Sequence, residues 1–264
     1  MGVAGVATAT VISQIVSAIL IVRCLMHSDG IYRLDLHELK IYKRKMVHIA
    51  KIGLPAGVQG AVFSLSNVLI QSSVNSFGSI AMAGNTAAGN IEGFVYTSMN
   101  AVYQTALSFT SQNVGGERQD RIPKIVFQCL AIVTVVGAVL GNLAYQCGPF
   151  LLNIYSSDPE VIQYGMSRMQ IICQWYFLCG IMDVAVGILR GMGYSVMPML
   201  VSLAGACGLR VLWIFTVFVW KHSLFVLYLS YPITWTITLA VHFICFFVIW
   251  KRKKGAWAMV KVAE

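Results

Sequence analysis

Apolar runs alternate with short polar punctuation along almost the whole chain. The runs fall at about 2–26, 54–77, 80–112, 125–152, 164–189, 197–220 and 228–250. Each is long enough for a bilayer-crossing helix, which needs roughly 20 mostly apolar residues. The alternating segments of about ten residues that mark a membrane β-barrel are absent. The pattern predicts an all-α, polytopic transmembrane helix bundle of seven spans. Residues 1–26 read as one extra helix, 27–52 as a cytoplasmic linker, 53–250 as a six-helix lobe and 251–264 as a basic cytoplasmic tail. Pro55, Pro123, Pro149, Pro159, Pro198 and Pro232 all lie at or near expected span ends, where a missing N–H costs least. Pro55 is expected in the first turn of the second span.

Within the linker, Leu39, Met46, Ile49 and Gly53 recur at helical spacing among Lys40, Lys43, Arg44, Lys45 and Lys51. That predicts an amphipathic helix on the membrane surface, its lysines near anionic headgroups. The alternative is a solvated basic loop. No basic segment precedes the first run, as a signal peptide would require. A membrane protein whose first residue already lies inside a span is expected to be truncated.

The polar positions inside the spans point to chemistry. Ser64, Asn67, Gln71 and Asn75 share roughly an 80° arc of the second span. Polar groups in hydrocarbon turn to a bundle interior or a water-filled cavity, so this stripe is either cavity lining or interhelical glue. On the third span Glu92, Tyr96, Met99, Asn100 and Tyr103 share roughly a 100° arc. A carboxylate, phenols and an amide on one face can hold a proton, a small cation or an organic cation. The alternative for Glu92 is a structural carboxylate paired with an arginine of another helix; for Met99, plain packing. Tyr176, Asp183 and Arg190 are spaced by seven and share a face, with Asp183 and Arg190 about 10 Å apart along the axis. Asp183 is then a second cation site or the partner of a residue elsewhere. Gly187-x-x-x-Gly191 permits close helix packing. Arg210 must snorkel or pair.

Charge sets the orientation. Only 11% of the residues are charged, against about 25% in soluble domains. Of the 19 Lys and Arg, 16 fall on one side of the membrane if the spans alternate. By the positive-inside rule the N-terminus lies outside and the C-terminus in the cytoplasm of a cell-membrane protein. The net charge of +9 therefore speaks of a membrane surface and not of nucleic acid. Seven Cys are scattered singly without a C-x-x-C, so they read as small packing residues, and neither a metal site nor a cofactor is expected. His242 reads as a hydrogen-bonded core residue.

Several short motifs resemble one transporter family. Gly53-Leu54-Pro55-Ala56-Gly57-Val58-Gln59 is similar to the start of the second half of MATE (multidrug and toxic compound extrusion) transporters. So is Ile91-Glu92-Gly93-Phe94 leading into Gln112-Asn113-Val114-Gly115-Gly116. Ser157-Asp158-Pro159-Glu160-Val161-Ile162 resembles the family's outer turn, and Leu189-Arg190-Gly191-Met192-Gly193-Tyr194-Ser195 its cytoplasmic turn. The resemblance implies two six-helix lobes facing each other across a cavity. Residues 54–250 would be the second lobe and 1–26 the last helix of the first, so the missing lobe or a second chain is an expected partner. It also implies no enzymatic activity but export of lipophilic, cationic compounds in exchange for H⁺ or Na⁺. Glu92 carries over as the coupling carboxylate, with Na⁺ as the alternative to a proton there. Asp183 carries over less directly, displaced by one helical turn. Asn67, Gln71, Asn75, Tyr96, Asn100 and Tyr103 would line the substrate cavity.

Other classes fit less well. A seven-span receptor matches the topology, but a retinal protein needs a Lys in a late span, and none lies between 222 and 250. A membrane protease needs paired Asp, a Ser–His pair or H-E-x-x-H. A lipid-linked saccharide flippase of similar architecture would want cationic lining for phosphate, for which Arg168 and Arg210 are the candidates.

Overall fold

The computed structural model describes residues 2–28, 30, 33–37 and 39–263, with side chains except at 2–3, 6 and 253–263. Two compact units emerge, Met1–His48 and Ile49–Glu264. In the first, α1 (Gly2–Met26) is a single apolar helix. Its Thr8 hydroxyl donates to the carbonyl of Ala4 at 2.8 Å, so a polar side chain is satisfied without a partner helix. Among the described residues of 27–42 there is no helix.

The second unit carries the rest. α2 (Lys43–Asn75) starts well before the position expected for the second span, and Pro55 lies in its interior, not in its first turn. The ring removes one backbone hydrogen bond, a loss that water or a neighbouring side chain can make good. α3 (Ser79–Gly115) follows after a turn in which Gly78 takes φ 95°, a conformation that favours glycine. α4 (Ile122–Gln146) and the short α5 (Gly148–Asn153) replace one expected span, broken at Cys147. α6 (Pro159–Gly191) begins at the expected outer turn. Asp158 is its N-cap and accepts from the Glu160 N–H at 2.9 Å, with Pro159 in the first turn.

The next span is not a uniform α-helix. α7 (Val196–Ser202) widens into a π-helix over Leu203–Leu209, returns as α8 (Arg210–Trp213), and widens again over Ile214–Phe218. α9 (Leu224–Ala263) ends the chain and takes the expected tail into the same helix.

Among the described residues, six helical segments are long and apolar enough to cross a membrane. α3 is long enough but is not one of them. The polar residues that draw attention to it are what lower its hydropathy, so the count of seven is approximate.

α6 is the axis of this unit: 67% of its most apolar window is buried, against 11% for α2. One core cluster joins α6 to α3 and α4 through Ile91, Val95, Met99, Val133, Met169 and Ile188. The other joins it to α2 and α9 through Ile70, Ile172, Met182, Leu227, Tyr228 and Trp235. Between lipid-soluble helices apolar burial drives little association, so close packing must do it, through small residues. A Cβ at Gly187 would lie 3.0 Å from the carbonyl oxygen of Tyr103, and one at Gly191 would lie 2.7 Å from Thr110 Cβ. The two glycines thus let α6 pack directly on α3. α2 is different. It is not among the helix pairs whose backbones pack closely. Much of its attachment is polar: Gln59 to Arg190, Gln71 to Asn85, and the Ile52 carbonyl to Ser195 Oγ at 2.7 Å.

Candidate functional site

Two polar sites lie along α6. The first is built on Arg168, which α6 carries between the two cores. Its Nε donates to Glu92 Oε1 at 2.8 Å and its Nη2 to Glu92 Oε2 at 2.6 Å, a two-pronged ion pair with both side chains nearly buried. Its Nη1 donates to Asn85 Oδ1 at 2.7 Å. Asn85 Nδ2 donates onward to Gln71 Oε1 at 2.7 Å, and Gln71 Nε2 to Asn75 Oδ1 at 3.2 Å. Tyr228 Oη donates to Asn85 Oδ1 at 3.2 Å, and the rings of Tyr228 and Tyr231 lie 5.7 Å from the guanidinium carbon. The network ties α2, α3, α6 and α9 together. Glu92 thus has both oxygens on an arginine, the structural pairing that sequence left open beside the coupling role. Arg168 sits 76 positions from Glu92, so nothing local in the chain announces the pair.

The second site is a cavity of about 470 Å³ between α2, α3, α6, α8 and α9. Asn67, Tyr96, Asn100 and Tyr103, all expected as lining, line it. Gln71 lines a neighbouring recess with Asn85, Glu92 and Arg168, while Asn75 is exposed and serves as the acceptor for Gln71. Met99 is 2% exposed and belongs to the core.

Asp183 faces the cavity from α6 and is half-buried. Tyr96 and Asn100 line the same cavity as Asp183. Among the described residues the ion pair within 4.0 Å is Arg168–Glu92, so Asp183 is free of one. Arg190, two turns further along α6, is held elsewhere. Its Nη1 donates to Tyr103 Oη at 2.7 Å and its Nη2 to Gln59 Oε1 at 2.8 Å.

Arg210 enters from α8. It neither snorkels nor pairs with a carboxylate: it is 2% exposed, and Nη2 reaches Thr234 Oγ1 at 3.3 Å. Its guanidinium carbon stacks 4.1 Å above the Tyr231 ring. Tyr176 and Trp235 stack with centroids 5.6 Å apart and complete an aromatic wall. Gln59, Tyr176, Tyr231 and Trp235 are lining residues that sequence reasoning missed as a set. An amide or indole in an apolar run was the available signal. His242 is buried and its Nε2 lies 3.1 Å from Ser202 Oγ, as a core histidine should.

Residues 55–216 match the family model described as MatE. The chain is 24% identical over 262 residues to a probable multidrug resistance protein, YoeA, of Bacillus subtilis, covering 96% of this chain and 56% of that protein. Its fold superposes on a MATE crystal structure in complex with MaL6 with a TM-score of 0.83, at 16% identity, over 98% of this chain and 58% of that one. The MATE transporter ClbM in complex with Rb⁺ gives a TM-score of 0.76 at 17% identity, over 92% of this chain and 53% of that one. The chain thus spans about half the length of the curated relatives and solved structures it matches.

Proposed function

Because the chain belongs to the MATE family of multi-pass membrane transporters, we propose that it forms one lobe of a cation-coupled antiporter that exports lipophilic compounds. The observation that carries this reading is Asp183, a carboxylate outside any close ion pair that faces an aromatic, amide-lined cavity. An intramembrane carboxylate is costly, and it is kept where ions or substrates bind. We assign the coupling role to Asp183 and a positioning role to Glu92, because both oxygens of Glu92 are already engaged by Arg168.

Coupling needs competition for one group. With H⁺ or Na⁺ on Asp183, its charge is neutralised and a cationic group of the compound loses its counter-ion. With the carboxylate free, the compound's cationic group takes its place. Tyr96 and Asn100, in the same lining, offer a hydroxyl and an amide to either occupant. Tyr176 and Trp235 offer ring faces to a flat, lipophilic body. Rocking of the lobe against a second one, from the same polypeptide or another, would expose the site alternately. The basic loops support an orientation with the N-terminus outside and the C-terminus in the cytoplasm.

The test is ethidium transport in proteoliposomes driven by a proton or a sodium gradient, with Asp183→Asn beside the wild-type protein. The variant should bind ethidium more weakly and lose its response to either gradient, while eluting as a folded protein. Gradient-driven transport at the wild-type rate in Asp183→Asn would refute the assignment.

A further inference from the structure

Where α3 ends and α4 begins lies another cavity, of about 520 Å³, which shares no lining residue with the one along α6. Arg118, Arg121 and Lys124 line it with Gln128, and Phe109 and Ile125 form its apolar part. Among the described residues its lining holds three cations and no carboxylate. Glu117 and Asp120 belong to the same turn but are outside the lining, exposed to solvent. All three cations are exposed as well, and none makes an ion pair within 4.0 Å among the described residues.

The local backbone clears this place of competing negative charge. The carbonyls at the end of a helix carry its negative pole and repel an anion. Here they are taken up. The N–H groups of Gly116, Glu117 and Arg118 donate back to the carbonyls of Gln112, Val114 and Asn113 at 2.9, 3.3 and 2.8 Å. Glu117 takes φ 58° in doing so, a left-handed conformation uncommon for a residue with a side chain. The Asn113 amide is occupied too, its Nδ2 donating to the Phe109 carbonyl at 2.8 Å. α4 then opens with Pro123 in its first turn and no side-chain cap, so its positive end carries no acceptor of its own.

The cavity also lies at a definite depth. Gln119–Gln146 is one of the segments long and apolar enough to cross a membrane, and Arg121 and Lys124 fall in its first two turns. Long basic side chains at the end of a span reach for the headgroup level. Apolar surface borders them: Phe109 is 53% exposed, and Phe127, next to Gln128, 74%. A soluble anion would use the cations and leave the apolar part wet. A lipid uses both, with its phosphate on the cations and its glycerol and first methylenes along Phe109 and Ile125. A zwitterionic headgroup would bring an ammonium among three cations with no carboxylate in the lining to receive it.

We propose that this cavity binds the headgroup of an anionic glycerophospholipid of the phosphatidylglycerol class. The phosphate would be held by Arg118, Arg121 and Lys124, and Gln128 would serve the headgroup hydroxyls. The site does not depend on the antiporter reading. A Lys or Arg near an anionic membrane surface is worth about fivefold in binding, so three together set a ceiling of roughly a hundredfold, lowered by salt.

The experiment is native mass spectrometry of the purified chain in detergent, titrated with phosphatidylglycerol or phosphatidylethanolamine of the same acyl chains. The dissociation constant of the first lipid bound is read. Phosphatidylglycerol should bind at least tenfold more tightly. In Arg118→Gln/Arg121→Gln that preference should fall to within twofold while phosphatidylethanolamine binds as before. Lys43→Gln/Lys45→Gln removes the same charge at the start of α2 and should leave the preference intact. Equal binding of the two lipids to the wild-type protein, or an undiminished preference in Arg118→Gln/Arg121→Gln, would overturn the proposal. An equal loss in the α2 variant would overturn it as well, as a general attraction between basic protein and acidic lipid. The wild-type comparison decides even if a variant fails to fold. Inorganic phosphate or poly-glutamate that displaces phosphatidylglycerol at an equal concentration would assign the cations to a soluble anion or an acidic protein segment and refute the lipid site.

Discussion

Removing either member of the Glu92–Arg168 pair should cost far more stability than removing both. Glu92→Gln leaves a guanidinium at 11% exposure with Asn85 and two tyrosine rings but no anion. Arg168→Gln leaves a carboxylate at 5% exposure without its cation. Breaking a buried pair by one partner typically costs about 3–5 kcal/mol, because an uncompensated charge stays behind. The contacts of 2.6 and 2.8 Å are charge-assisted and place this pair toward the upper half of that range. In the double variant Glu92→Gln/Arg168→Gln no charge remains and the two amides can bond each other, so the loss should be about 1 kcal/mol. The coupling energy of the cycle is then about 7 kcal/mol in magnitude, on the order of 10⁵-fold in the folded-to-unfolded ratio. Unfolding in mixed micelles of increasing SDS fraction, followed by tryptophan fluorescence, measures it. Single variants as stable as wild type would refute the structural role.

Three further outcomes follow from the same geometry. Gly187→Val would press a side chain onto the Tyr103 carbonyl and push α6 off α3, at about 1–3 kcal/mol; a lowered thermal midpoint in detergent checks it, and an unchanged one means the helices can separate freely. Gln59→Leu removes an acceptor from Arg190 and a tether from α2, so limited proteolysis at the α2–α3 turn should speed up several-fold. Cys147 at the end of α4 and Cys24 at the end of α1 are both exposed; a membrane-impermeant maleimide should label Cys147 in intact cells and Cys24 only after permeabilisation, and the reverse would invert the orientation.

Much of the fold was legible because hydrocarbon imposes a long apolar period that few other environments demand. The ends of α6 were legible for a local reason: Asp158 and Pro159 are an N-cap and a first-turn proline in sequence as in structure. Pro55 misled because proline at a helix start and proline inside a membrane helix leave the same trace in a sequence. Glu92 and Asp183 were both visible as intramembrane carboxylates. Which one is neutralised was not, since the answer depends on where residue 168 projects and on a network crossing four helices. Arg210 was visible as an anomaly. That it has no carboxylate within 4.0 Å among the described residues depends on which helices surround it, which its own span does not reveal.

The polar attachment of α2 bears on the range of compounds such a cavity can accept. A wall fixed by interlocked side chains has one position, because any displacement opens a void. A wall fixed in part through Gln59, Gln71 and the Ile52 carbonyl, beside the apolar contacts of Ile70 and Val74, has more freedom, because each polar bond can be traded for one to water at a net expense of about 0.5–1.5 kcal/mol. The cavity of about 470 Å³ is the volume with every tether made. If the cavity binds the proposed compounds, a bulkier guest would be admitted one tether at a time, and its affinity would fall in steps instead of vanishing at a steric limit.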